Sequence, residues 1–218
     1  MDRADRPSIS DVVVDLVVER SAAMQQMIRT LVAVLAVVVM SVQAHAATVV
    51  TLDFEDLRID NTAINCGSPT YSAEGLTLTA LSDAGNPPAF CAVGTLSPSF
   101  TGSVSLYHHI GTREIVLTRT DGGPFQLLSI DLVELPTLDV FGQPIDFGPF
   151  PVTFVGVRAN GKTVTATATV IPFPEVTTVT FHGFTNLVAV HWFQGSGASP
   201  DTSTGTHQFD NIVVRIPQ

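Results

Sequence analysis

Lys162-Thr163-Val164-Thr165-Ala166-Thr167-Ala168-Thr169-Val170 decides how the rest of the chain is read. Threonine takes every odd position from 163 to 169, and valine or alanine every even one from 164 to 170. Successive side chains of a strand point to opposite faces, so the segment has a wet hydroxyl face and an apolar face. An antiparallel sheet packed on one side only produces that pattern. Asn160-Gly161 lies directly upstream, between this run and an earlier one. Asn-Gly is a strong hairpin signal, because a type I′ turn needs positive φ at both central residues.

Working outward, similar runs recur at 48–54, 75–80, 103–107, 114–119, 125–135, 152–158, 176–181, 187–193 and 208–216. Val, Ile, Thr and Phe dominate them, as half-buried pleated surfaces favour. Asp121-Gly122-Gly123 marks a further turn. The one long connection, 136–151, carries Pro136, Pro144, Pro149, Pro151, Gly142 and Gly148. Strands of the same kind flank it, so it reads as an ordered surface loop and not as a domain boundary. Some ten short strands without crossover helices predict an all-β fold. The expected architecture is an antiparallel two-sheet β-sandwich, jelly-roll-like, with its first and last strands near each other.

The N-terminal part has a different character. Residues 31–40 read LVAVLAVVVM, with Arg29 before them and Ala44-His45-Ala46 after them. A positive n-region, an apolar h-region and an A-x-A site in that order make a signal peptide, cleaved here after Ala46. The apolar core falls short of the roughly 20 residues of a transmembrane helix. Asp2, Asp5, Asp11, Asp15 and Glu19 precede it, and acids there oppose export. Translation from Met24 or Met27 would remove them. The expected organisation is a doubtful extension at 1–26, a signal peptide helix at 27–46 and a β-sandwich domain at 47–218. The expected location is periplasmic or extracellular, with no stable membrane anchor after cleavage.

From Ala47 onward the chain has Lys162, Arg58, Arg113, Arg119, Arg158 and Arg215 against fifteen acids. A lone lysine and no basic cluster argue against nucleic acid as a partner and against an anionic membrane surface. Cys66 and Cys91 are the two cysteines. In an exported chain one even pair makes a disulfide. It would close a stretch rich in turn residues and contribute about 3 kcal/mol through chain entropy. A redox or metal role is disfavoured by the lack of a CxxC and of any His at ligand spacing.

Acids cluster at both ends of the domain. Asp53, Glu55 and Asp56 follow the first run, and Asp210-Asn211 opens the last. If those strands adjoin, Glu55 and Asp210 meet, and carbonyls of the 61–67 loop complete a hard oxygen shell for Ca²⁺. Solvated acids that discourage edge pairing are the plainer reading. "LDFE" at 52–55, Tyr71-x-x-x-Gly75-Leu76, Val155-x-Val157-x-x-x-Gly161 and "FDNI" at 209–212 together carry a resemblance. Over most of 50–215 the chain resembles bacterial exported proteins of the PEP-CTERM kind, with a body similar to galactose-binding-like jelly rolls. The resemblance implies a β-sandwich with a structural calcium near its terminal strands, held through Glu55 and Asp210. The chain departs from that family at Pro217-Gln218, where the Pro-Glu-Pro sorting signal, apolar span and basic tail are lacking. Membrane retention through that signal is therefore not expected.

Catalytic patterns are sparse. His108-His109 with Glu114 is similar to the first motif of cupins, but adjacent strand residues point opposite ways and cannot both grip one metal. Gly195-Ser196-Gly197 is no nucleophile elbow. Asp131 and Glu134, three apart, face opposite sides of their strand. His182 and His191 stand in separate runs, and Trp192 in its apolar run belongs to the core. Tyr71, Tyr107 and His108 are the ligand-binding candidates, with Tyr107 beside His108 as the expected surface site. The expected function is a non-catalytic module of the cell surface or matrix that binds carbohydrate or exopolysaccharide. The alternatives are a structural or protein-interaction protein without small ligand, and a polysaccharide hydrolase or lyase. Two exposed aromatics on a concave face would favour the first, a Thr/Ser-covered surface the second, and paired carboxyls or converging histidines the third.

Overall fold

The computed structural model describes residues 24, 26, 27, 47–81, 87–109, 114–138, 144, 145, 148–194 and 206–217. The chain divides into two compact units, Met1–His45 and Ala46–Gln218, and the second holds the strands. The signal peptide and extension expected at 1–46 lie outside the described residues, apart from Met24, Gln26 and Met27.

Fifteen strands are present among the described residues. One sheet, A, runs β13 (Thr177–Thr180), β8 (Gln126–Glu134), β15 (His207–Ile216), β6 (Leu106–His108), β5 (Phe90–Val93) and β2 (Ile64–Cys66). Strand β1 (Thr48–Leu52) joins it by pairing with β15. Sheet B runs β12 (Thr163–Val170), β11 (Phe150–Arg158), β14 (Leu187–Phe193), β7 (Glu114–Arg119), β4 (Leu76–Ala80) and β3 (Thr70–Ala73). The remaining two, β9 (Thr137–Leu138) and β10 (Pro144–Ile145), form a small ribbon within the expected long connection. Neighbours are antiparallel throughout, and the fold is the jelly-roll-like two-sheet sandwich that the alternating runs predict.

The core lies between the sheets. Trp192, Phe54, Phe154, Phe184 and Phe209 are fully buried there. Phe209 takes edge contacts from Phe54 at 5.8 Å and Trp192 at 5.4 Å, an arrangement that suits the ring quadrupoles. Strand β12 behaves as its sequence dictates: Thr163, Thr165, Thr167 and Thr169 are exposed, and Val164, Ala166 and Ala168 pack against the core.

Two hairpins illustrate local control. The β11–β12 hairpin forms at Asn160-Gly161, but only Gly161 has positive φ, at 78°. Gly161 N–H donates to Arg158 O, and Arg158 N–H to Lys162 O. The connection is therefore a three-residue loop ending in left-handed glycine, and not the type I′ turn expected. A two-residue turn with both residues at positive φ occurs instead between β3 and β4, where Glu74 is at 52° and Gly75 at 74°.

The stretch between the cysteines is more structured than its turn residues suggest. It holds β3 and β4, and Cys66 at the end of β2 lies directly opposite Cys91 in the β2–β5 ladder. The expected disulfide is present, with Cα atoms 4.0 Å apart. Gly94 follows β5 so closely against β2 that a Cβ would lie 2.2 Å from the Thr62 carbonyl oxygen.

Candidate functional site

The long strand β15 organises one candidate site. Its C-terminal half pairs with β1, and Phe209 in its N-terminal half pairs with β6. The expected adjacency of first and last strands is thus present. Past β1 the chain turns through Phe54, at φ 56°, into a 3₁₀ turn Glu55–Leu57. Glu55 then reaches the segment entering β6 and accepts the Val104 N–H at 2.8 Å. The neighbouring Ser103 hydroxyl donates to Asp210 at 2.5 Å. Asp210 also accepts its bond from the Asn211 N–H at 2.7 Å, and the Asn211 side chain bridges to Asp131 at 3.0 Å. Glu55 and Asp210 therefore flank the same two residues, and Asp131 completes an acidic group. Burial pushes the Asp210 carboxyl up to about 6 against the bonds from Ser103 and Asn211, and the charges of Asp131 and Glu55 push the same way. Their oxygens are hard donors, but among the described residues Glu55, Asp131 and Asp210 do not gather their ligand atoms within 4.8 Å of one another. Of the 61–67 carbonyls expected in that shell, Thr62 O accepts from Leu96 and Ala63 O from Gly94. The segment around Ser103 takes their place beside the acids.

The aromatic candidates separate. Tyr107 is only 9% exposed and packs with Cys91 and Val93. His108 is fully buried, with its Nε2 3.0 Å from Leu81 O and its backbone N–H donated to Gln194 Oε1. Neither presents a ring face to solvent, which corrects the expected surface site at Tyr107–His108. Tyr107 faces away from the inter-sheet core and is covered there by Phe100 and Leu135. His108 and His109 do point to opposite sides, one buried and one exposed. Tyr71 is half-buried against Phe54 and donates its hydroxyl to Asp56 at 2.7 Å. Burial and that bond push its phenol pKa well above the usual range. Trp192 lies in the core as expected.

Sequence reading missed the outer face of sheet B. One cross-strand row there runs Thr165, Val155, His191, Val116, Thr79 and Thr70. In the adjoining row Phe193 lies opposite Glu114, and Thr153 opposite Thr167. His191 Nδ1 and Glu114 Oε1 are 2.8 Å apart, and both side chains are about one-third exposed. Glu114, Thr153, Val155, His191 and Phe193 line a hollow of about 180 Å³. An apolar strip with one His–Glu pair is thus bordered by threonines. Its sequence signal is same-face spacing within separate strands, and only the pairing register brings it together.

A second unexpected group lies inside. His207 and Glu134 are direct partners across β15 and β8, and both are buried. Both His207 ring nitrogens, Glu134 Oε1 and Trp192 Nε1 find no hydrogen-bond partner among the described residues. Burial pushes His207 down to about 3, so the imidazole stays neutral.

No protein-family model and no curated protein matches the chain. Among solved structures it is similar to a mutant of CBM29-2, a family 29 carbohydrate binding module: identity is 12%, coverage 78% of this chain and 86% of that one, and the TM-score 0.35. A second CBM29-2 mutant, complexed with mannohexaose, gives 11% identity over 78% and 92% of the two chains, with a TM-score of 0.34. An exo-beta-agarase gives 10% identity over 77% of this chain and 24% of that one, at 0.36. None of these likenesses is close enough to carry a ligand or a site across to this chain.

Proposed function

We propose that the sandwich is an exported, non-catalytic binding module of the cell surface or extracellular matrix whose ligand is an extracellular polysaccharide. The observation that carries the reading is the outer face of sheet B. Phe193 and Val155 supply apolar surface for a sugar ring, and the His191–Glu114 pair supplies a donor and acceptors for hydroxyls. The bordering threonines offer further hydroxyls along the face. Export rests on the signal-peptide pattern at 27–46 and fits the disulfide. Kinship with PEP-CTERM-type exported proteins belongs to the same proposal. So does a structural calcium at Glu55 and Asp210, which would offset the crowding of negative charge there.

Affinity electrophoresis of the Ala47–Gln218 domain through gels containing different polysaccharides tests this reading. Retardation in at least one gel, reduced tenfold or more by Phe193→Ala and by Glu114→Gln, is the expected result. If calcium serves as proposed, chelation lowers the melting temperature of the native domain but not of Asp210→Asn. No retardation in any gel removes the polysaccharide reading. The exposed threonine row of β12 supports a second reading, a structural or protein-interaction role without a small ligand. That reading predicts indifference to every glycan.

A further inference from the structure

We infer that reduction of the Cys66–Cys91 disulfide opens a Cys₂His site for a thiophilic d¹⁰ cation, Cu⁺ or Zn²⁺, with His109 as third ligand. Among the described residues, the only three His, Cys, Asp or Glu side chains whose ligand atoms gather within 4.8 Å of one another are Cys66, Cys91 and His109. The register explains the gathering. Cys66 is opposite Cys91, and Cys91 is opposite Tyr107. His109 is two residues beyond Tyr107, hence on the same face and diagonal to Cys91.

The distances suit a metal. His109 Nδ1 lies 3.7 Å from Cys91 Sγ. Two ligands on one tetrahedral zinc, at about 2.3 Å for sulfur and about 2.0 Å for nitrogen, lie roughly 3.5 Å apart. The nitrogen–sulfur pair is therefore already spaced as a ligand pair, and only the two sulfurs need to separate. The frame that holds them does not depend on the S–S bond. The β2–β5 and β5–β6 ladders fix the backbone, and the His109 N–H donates to Ala89 O at 2.8 Å. Val93, Tyr107, Phe100 and Leu135 pack around Cys91. Cys66 and His109 are exposed, so a reductant and a cation both have access. Thiolate and imidazole together select Cu⁺ or Zn²⁺ over hard cations.

The chemistry balances with an external dithiol as reductant. One of its thiolates attacks the exposed Cys66 sulfur and Cys91 leaves. The second thiol closes the dithiol's own disulfide and releases Cys66. Two electrons pass to the protein, whose cysteines become thiols. Binding the cation then displaces their two protons to water.

The test uses the domain reduced by a dithiol and freed of it without oxygen. Zn²⁺ is titrated against a chromophoric chelator, and Cu⁺ against a colorimetric Cu⁺ chelator. The reduced protein should take up one equivalent of at least one ion and the oxidised protein none. His109→Ala should weaken binding at least tenfold, and Cys66→Ser should abolish it. Co²⁺ should give the intense visible bands of a tetrahedral thiolate site, lost in His109→Ala. Circular dichroism of the reduced protein must still show the sandwich. Its collapse, uptake of neither ion, or undiminished binding by His109→Ala overturns the inference.

Discussion

His207 and Asp210 lie three residues apart on β15 and titrate in opposite senses. The imidazole falls from its ordinary 6.5 to about 3 because the fold buries it fully, against a smaller opposing effect of the Gln194 backbone. The unfolded chain accepts a proton that the native chain refuses, so this group makes stability fall as pH drops from about 6.5 to about 3. The Asp210 carboxyl rises from 3.8 to about 6. Its contribution is full below the unfolded value and is lost as pH rises through the folded one. Between about pH 4 and 6 the two slopes oppose each other, each worth about 1.4 kcal/mol per pH unit at most. In chelator, native stability should be nearly level across that window with respect to these groups. His207→Phe should leave stability falling with pH there, and Asp210→Asn should leave it rising. Urea denaturation at several pH values reads both, and level profiles in both variants would refute the assignment. At this scale the order of strands and acids foretold that the first and last strands adjoin, and Glu55 and Asp210 there bond to the neighbouring residues Val104 and Ser103. It misplaced Tyr107 and His108, because Phe100 and Leu135 cover the first and Leu81 and Gln194 engage the second, contacts that sequence order does not state.

Strands and turns obey their own rules. The ten runs read from alternation all have counterparts, and β12 repeats its pattern residue by residue. The strands overlooked are β2, β3 and β5, besides the two-residue β9 and β10. Strand β2 is three residues long and exposed throughout, so no hydrophobic period marks it. Strand β5 is buried at all four positions, so it does not alternate either. The turn at Asn160-Gly161 was legible as a turn but not by type, and the one at Glu74-Gly75 was not read at all. Glu74 holds a left-handed conformation that Asn adopts more readily. Glu74→Asn should therefore stabilise the domain by roughly 0.5–1 kcal/mol in thermal or urea melts. Gly94→Ala should have the opposite effect. The added methyl meets the Thr62 carbonyl, which belongs to backbone and cannot swing aside. A loss of about 2 kcal/mol or more, with β2 freed from β5, is expected. Amide exchange at Ile64–Cys66 measures it directly. The Glu114–His191 hollow was illegible at this scale, since β7 and β14 are distant in sequence and only their register joins the two side chains.

For the whole molecule, the composition and turn pattern announced a sandwich, and the strand order within each sheet was not recoverable from them. Pairing β1 with β15 and β8 with β15 is a long-range choice, decided by which faces fill the common core. The disulfide ties only the β2–β5 margin of sheet A, so Cys66→Ala with Cys91→Ala should lower stability by about 3 kcal/mol without altering the fold. Denaturant melts of that double variant, with unchanged circular dichroism in water, check the claim.

Strand β15 unites sheet A. Strands β8, β6 and β1 all hydrogen-bond to β15. Without residues 207–216 those three have open edges and the core lacks Phe209, Ile212 and Val214. One strand thus carries three seams, and any cut or displacement within it opens three edges at once, so sheet A comes apart in a single step and not strand by strand.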